Sequence, residues 1–315
     1  MAEPSEPERH LTERERERLA ALASATSLAE VQELTRLPNE HDAYVEAKRE
    51  WMHLRGRDPD AVPVSDGLPG RVVTVDDCAF WVHGITHADT DAERAYVRGQ
   101  VASFVDEGAS VYCEQGIRPM YFADFDEVCE MDDYRWAMQA CTTDAVGAQI
   151  PDIDDAFGPG NDDVEEFRSR LREAAFSLLS SHGDAFGERV QQSLGALAST
   201  FLTSYGALAT ADDYTSHQLS RRAARDPSKL GRLQHYYETA FLPQPVEREW
   251  LRRHDPDLER ATHARNERMA DYAIYHAEDV DEVHLIVGAA HQPGVCYYLQ
   301  EHAAGKRSVA GFELC

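Results

Sequence analysis

Two apolar runs end in the same four-residue device: FWVHGITHAD near residue 80 and HLIVGAAHQPG near residue 288. Each is β-rich and stops at Gly-x-x-His, at Gly84–His87 and Gly288–His291. A short run of β-branched and aromatic residues closed by glycine reads as a buried strand that leaves a sheet. Ligands of α/β sheets gather at the carboxyl ends of the strands, so both histidines fall where a site forms. The pattern points to an α/β fold in which distant pieces of the chain supply neighbouring strands.

The stretches around these runs support that reading. RVVTV and CAFWV, separated by Asp76-Asp77, predict two strands and a tight turn. Thr90 with Glu93 three residues later forms a capping-box pattern opening a helix that Gly108 ends, and ASVYCE follows as another strand. This is one βαβ unit, ending at Glu114. The fold expected is a small, mainly parallel sheet formed by the N- and C-terminal flanks, with a large helical insertion over about 120–280. Within the insertion, helices are expected at 162–180, 186–209, 213–225, 228–240 and 246–276. A helix from about 294 to 303 and a final strand, RSVAGFEL, close the chain. Residues 1–70 read as an N-terminal helical segment, with Thr12 as a cap, and 71–315 as the α/β domain.

Composition narrows the function classes. The formal charge of −26 repels nucleic acid and anionic membranes, and no basic patch offsets it. Only Lys48, Lys229 and Lys306 among the 31 basic residues are lysines, a lysine-poor acidic surface that suggests a halophilic solvent. The six cysteines include no Cys-x-x-Cys pair, which favours reduced, mostly buried thiols. The first residues carry no apolar export core, so a cytoplasmic location is expected. The uncharged stretch 190–211 is rich in alanine, serine and threonine, and reads as a buried helix rather than a membrane span. The partner expected is a small-molecule or peptide substrate, without nucleic acid or membrane; a homodimer stays open.

His87, Glu114 and His291 would share one sheet edge. Imidazole and carboxylate suit a divalent metal, and two His with one Glu leave positions for water and substrate. The plainer alternative is that each His caps its strand. Arg118, four residues after Glu114, could anchor that carboxylate or a substrate; Arg265 and Asn266 could point into the site while Met269 packs. His83 and His284 read as structural, and Cys113 alternates into the core. No serine-nucleophile elbow, His-Glu-x-x-His helix, phosphate loop or dinucleotide glycine signature is present.

HGITHAD, SVYCEQGIRPMY, ARNERMADY and LIVGAAHQPG together resemble the signatures of the TraB/PrgY family. That family is related to the Tiki and GumN proteins and more distantly to the erythromycin esterase group. The resemblance falls on Gly84 and His87, Glu114 and Arg118, Arg265, Asn266 and Met269, and Gly288 and His291. It covers about 75–125 and 262–315. It implies a Tiki-like metalloprotease using manganese or cobalt, with His87, Glu114 and His291 as ligands and Arg118, Arg265 and Asn266 in supporting catalytic roles. Gln115 departs from the usual acidic residue after the family Glu. The function expected is therefore a metal-dependent hydrolase of peptide or other acyl bonds; the alternative is a non-catalytic protein that binds a small ligand or metal.

Overall fold

The computed structural model describes residues 11–57, 67–131, 208–277 and 280–309, with short pieces between 171 and 198. Three helices come first: α1 (Glu13–Ala23), α2 (Leu28–Thr35) and α3 (Glu40–Arg55). Each begins behind a polar cap: Thr12, Ser27 and Asn39 accept from backbone N–H groups of the first turn. At α1 the cap is reciprocal, since Glu15 returns a carboxylate to the Thr12 N–H at 2.8 Å.

A hairpin follows, β1 (Gly70–Val75) and β2 (Cys78–Ile85), turning at Asp76 and Asp77, both at positive φ. Then come α4 (Asp91–Asp106), β3 (Ser110–Glu114), the single turn α5 (Arg118–Tyr121) and β4 (Val128–Met131). After the insertion, β5 (Glu282–Gly288) leads into α11 (Gln292–Ala303). The five strands form one mixed sheet in the order β1-β2-β5-β3-β4. Only the β1–β2 pairing is antiparallel; β2–β5, β5–β3 and β3–β4 are parallel. β5 therefore lies between the two strands of the predicted βαβ unit, and Ile85 pairs with Gly288 at the sheet's carboxyl edge.

The insertion is helical where it is described: α6 (Tyr214–Arg225), α7 (Leu230–Ala240), α8 (Gln244–His254), α9 (Pro256–Ala261) and α10 (His263–His276). The single helix expected over 246–276 is broken twice. Pro256 follows Asp255 and cannot continue the backbone ladder, and Thr262 interrupts again before α10. Expected helices at 162–180 and 186–209, and the uncharged stretch 190–211, lie largely outside the described residues. Residues 307–309 are irregular rather than the start of a last strand; the remainder of that stretch lies outside them too. β4 and α5 went unread in the sequence, being too short for periodicity to reveal.

Helices cover both faces of the sheet. Phe80, Val82, Leu285 and Val287 pack with Met269 and Ala273 of α10 and Val295 and Leu299 of α11. Ile85, Val111, Cys113 and Ile286 face the other way, toward Val97 and Val101 of α4 and Leu230 of α7. The two faces follow from strand alternation. The N-terminal helices share a core with α8, where Tyr44 stacks on Trp250 at 4.5 Å. Beneath that stack, Lys48 Nζ donates to Glu247 Oε1 at 2.8 Å with both side chains buried. No helix among the described residues is long and apolar enough to cross a membrane. Cys78, Cys113, Cys129 and Cys296 are free thiols; Cys129 is exposed and the others are buried.

Candidate functional site

The parallel alignment of β2, β5 and β3 brings their carboxyl ends side by side. Glu114 is the last residue of β3 and is buried. One of its oxygens accepts from Arg265 Nη2 at 2.8 Å, and the other from the Gly288 backbone N–H at 2.9 Å. Both hydrogen bonds are charge-assisted and keep the anion solvated without water. His87 Nε2 lies 3.5 Å from Glu114 Oε2, and His291 Nε2 lies 3.6 Å from Oε1. The two Gly-x-x-His turns thus meet on one carboxylate.

Glycine at two positions allows the approach. A Cβ on Gly288 would stand 2.8 Å from His87 Nε2, and one on Gly84 would stand 2.8 Å from the Ala289 backbone. The strained backbone is elsewhere, at His87 itself, with φ 58°. A non-glycine residue in this left-handed region costs on the order of 1–3 kcal/mol and persists only when its surroundings impose it. Glu93 imposes it here. Its buried carboxylate accepts from the Thr86 N–H and hydroxyl, both at 2.7 Å, from the Ala88 N–H at 3.1 Å and from the Tyr121 hydroxyl at 2.7 Å. Glu93 therefore grips the residues on either side of His87. The expected capping box is half realised: Thr90 accepts from the Glu93 N–H, while the Glu93 carboxylate serves the loop.

His291 is held from behind. Its Nδ1 lies 2.7 Å from Asn266 Oδ1, and Asn266 Nδ2 donates to Gln244 Oε1 at 3.4 Å. Gln244 Oε1 also accepts from His263 Nδ1 at 2.9 Å. This order of donors places the His291 proton on Nδ1 and leaves a lone pair on Nε2, facing Glu114. Burial, with help from Arg265 and His87, pushes His291 down to about 4 against the pull of Glu114. Burial alone would raise Glu114, but His291, His87 and Arg265 outweigh it and hold the carboxyl well below its usual range. At neutral pH the centre is an ionised carboxylate beside a neutral imidazole.

Among the described residues no group of three or more His, Cys, Asp and Glu side chains is placed to hold a metal ion. This overturns the expectation of a divalent metal, manganese or cobalt, on His87, Glu114 and His291, and with it the metalloprotease and metal-binding reading. The physical reason is competition. Both Glu114 oxygens are already engaged, and the Arg265 guanidinium sits 2.8 Å from one of them, where it supplies the positive charge itself.

Other residues singled out in the sequence fall unevenly. Asn266 is buried and hydrogen-bonds His291, and Met269 packs in the core as expected. Arg118 stands apart: its ion pair is with Glu130, at 3.9 Å, and Arg265 takes the place beside Glu114. Asp89 pairs with Arg94 and leaves the α4 cap to Thr90. Cys113 is fully buried, and burial pushes its thiol up to about 12. His83 Nε2 lies 2.9 Å from His284 Nδ1, a buried pair beside Phe104 and away from Glu114. Gln244 and His263 were missed in the sequence, where a Gln-Pro step and a helix-start histidine carry no distinctive signal. No family model, curated protein or solved structure matches the chain.

Proposed function

We propose that the Glu114 cluster is a metal-independent acid–base site that hydrolyses an acyl bond, an ester or a peptide-type amide. The observation that carries this reading is the convergence of two imidazole Nε2 atoms on one ionised, buried carboxylate. His291 is the base. A water proton passes to its Nε2 as the water oxygen attacks the carbonyl carbon. The same proton then goes to the leaving oxygen or nitrogen as the acyl bond breaks. Glu114 stabilises the transient imidazolium, and Asn266 fixes its orientation. Arg265, 23% exposed in its side chain, supplies positive charge for the developing oxyanion. His87 is the most open member, 31% exposed in its side chain, and its buried Nε2 has no hydrogen-bond partner among the described residues. Its ring stands at the mouth of the cluster with Nε2 turned inward to the Glu114 carboxylate.

The resemblance to the TraB/PrgY family supports the choice of residues, since the motif positions His87, Glu114, Arg265, Asn266 and His291 are those that meet. A second reading, a pocket that binds a small ligand without turnover, draws on Glu114 having both oxygens already engaged. The two readings separate on a panel of activated esters and short peptides assayed with wild type and Glu114→Gln. Hydrolysis lost at least a hundredfold in the variant supports the enzyme; no hydrolysis above the variant's rate overturns it.

A further inference from the structure

Asn266 of the helical insertion holds the second Gly-x-x-His turn through His291. The first turn has a counterpart in Gln234, a buried residue of α7, 3% exposed. Its Oε1 accepts from the Gly84 backbone N–H at 3.3 Å. Gly84 is the glycine that opens the turn leading to His87.

The strand register explains why this N–H needs a side chain. β1 begins at Gly70, opposite His83, so Gly84 lies one residue past the end of the hairpin ladder. The register would next bring Pro69 opposite Gly84, but the Pro69 carbonyl lies 3.2 Å from His83 Nδ1. Buried backbone donors are almost always paired, and Gln234 supplies the acceptor where β1 has run out.

The amide is held in one orientation. Gln234 Nε2 donates to Glu238 Oε1 at 3.2 Å, one helical turn further along α7. Arg71 of β1 holds that carboxylate in turn, its Nε and Nη2 donating at 2.9 Å to one oxygen each. An ionised carboxylate only accepts, so the Gln234 amino group faces Glu238 and its oxygen faces Gly84. Gly84 also touches the second turn: a Cβ there would stand 2.8 Å from Ala289 Cα and 3.5 Å from Gln234 Oε1. Ala289 lies between Gly288 and His291, and its N–H donates to the Ile85 carbonyl at 2.9 Å. The two turns therefore meet at the residue that Gln234 holds.

We infer that Gln234 is a positioning residue for the Glu114 cluster. Through Gly84 it sets the exit of β2, and with it the placing of His87 against His291. The kinetic consequence rests on the hydrolytic reading; the backbone consequence does not.

The test compares full-length wild type with Gln234→Met, which keeps the side-chain length and removes the acceptor. Amide hydrogen exchange at Gly84 and on toward His87 speeds up about tenfold, the worth of one buried hydrogen bond, while β3 exchanges as before. Gln234→Asn, one methylene too short to reach, gives the same result if Gln234→Met does not fold. The double variant Gln234→Glu with Glu238→Gln returns an acceptor to Gly84 at unchanged total charge, and restores the protection. In the hydrolase assay Gln234→Met loses about tenfold in kcat with KM little changed, and the double variant recovers most of it. If wild type hydrolyses nothing, the hydrolytic reading fails and the exchange pattern alone decides this inference. Unchanged exchange at Gly84, faster exchange spread evenly over the sheet, no recovery in the double variant, or full kcat despite faster exchange overturns it.

Discussion

The Gly288 backbone N–H donates to Glu114 Oε2 at 2.9 Å, so the last residue of β5 holds the last residue of β3. The same glycine leaves room for the His87 ring, whose Nε2 would stand 2.8 Å from a Cβ added there. Alanine at 288 therefore strikes the flexible end of a side chain, while the strand itself can stay in place. Gly288→Ala is expected to fold with a near-native circular dichroism spectrum and to lose about a hundredfold in kcat, as a displacement near 1 Å can cause. Rates at saturating substrate check it.

Glu114→Gln keeps an acceptor for Gly288 but removes the carboxylate charge that Arg265 meets at 2.8 Å. Breaking a buried pair costs about 3–5 kcal/mol, and the partial exposure of Arg265 puts this one at or below the lower end. Urea denaturation at neutral pH should show that loss. The sign with pH follows from a carboxyl held below its usual value in the folded state. Its stabilisation is present above the unfolded pKa, roughly 4.3, and is lost as pH falls below it. The gap between wild type and Glu114→Gln should narrow on acidification.

Three buried histidines make the fold acid-sensitive in a higher window. Burial pushes His83 and His263 down to about 3 and His291 to about 4, from 6.5. Each is lower folded than unfolded, so its contribution is intact above pH 6.5 and is lost as pH falls toward 4. Together the three give a slope of up to about 4 kcal/mol per pH unit, from about 1.4 for each. His263→Gln should remove about a third of it, measured by denaturant midpoints between pH 6.5 and 4.5.

In the proposed mechanism Asn266 acts only through His291, by accepting its Nδ1–H at 2.7 Å. Asn266→Ala frees the imidazole to change tautomer and orientation. The expected outcome is a kcat fall of about a hundredfold or more with KM little changed. A rise in KM alone would assign Asn266 to substrate binding instead.

Glu93 gives a fifth handle, one that reaches the cluster only through the His87 turn. Glu93→Gln cannot satisfy the Thr86 and Ala88 N–H groups and the two hydroxyls together, so the left-handed turn at His87 relaxes. Amide hydrogen exchange at 86–88 should speed up by about tenfold while β3 and β5 exchange as before.

How far the sequence carried the fold depended on repetition and length. The duplicated Gly-x-x-His runs marked β2 and β5 and placed their ends together, because an apolar run that stops at glycine has few alternatives. Alternation put Cys113 inward and Glu114 at the edge. Partner choice was not legible. Arg118 sits four residues from Glu114, yet Arg265, 151 residues away, takes the carboxylate. Spacing along a chain says little about contacts made across a sheet edge. The hold of Glu93 on His87 was hidden for a similar reason, since a capping box and a loop anchor use the same glutamate at the same spacing. The metal reading failed because residue types suggested ligands, whereas a guanidinium and a backbone N–H had already claimed the carboxylate.

The central claim is that His87 and His291 act as one unit on Glu114 without a metal. The most direct test is a double-mutant cycle on kcat/KM with His87→Ala, His291→Ala and both together, in buffer containing a chelator. Residues that work as a unit are not additive. The double variant should be about as slow as the worse single variant, and wild-type activity should survive the chelator. Losses that multiply, or activity abolished by chelation alone, would contradict the claim.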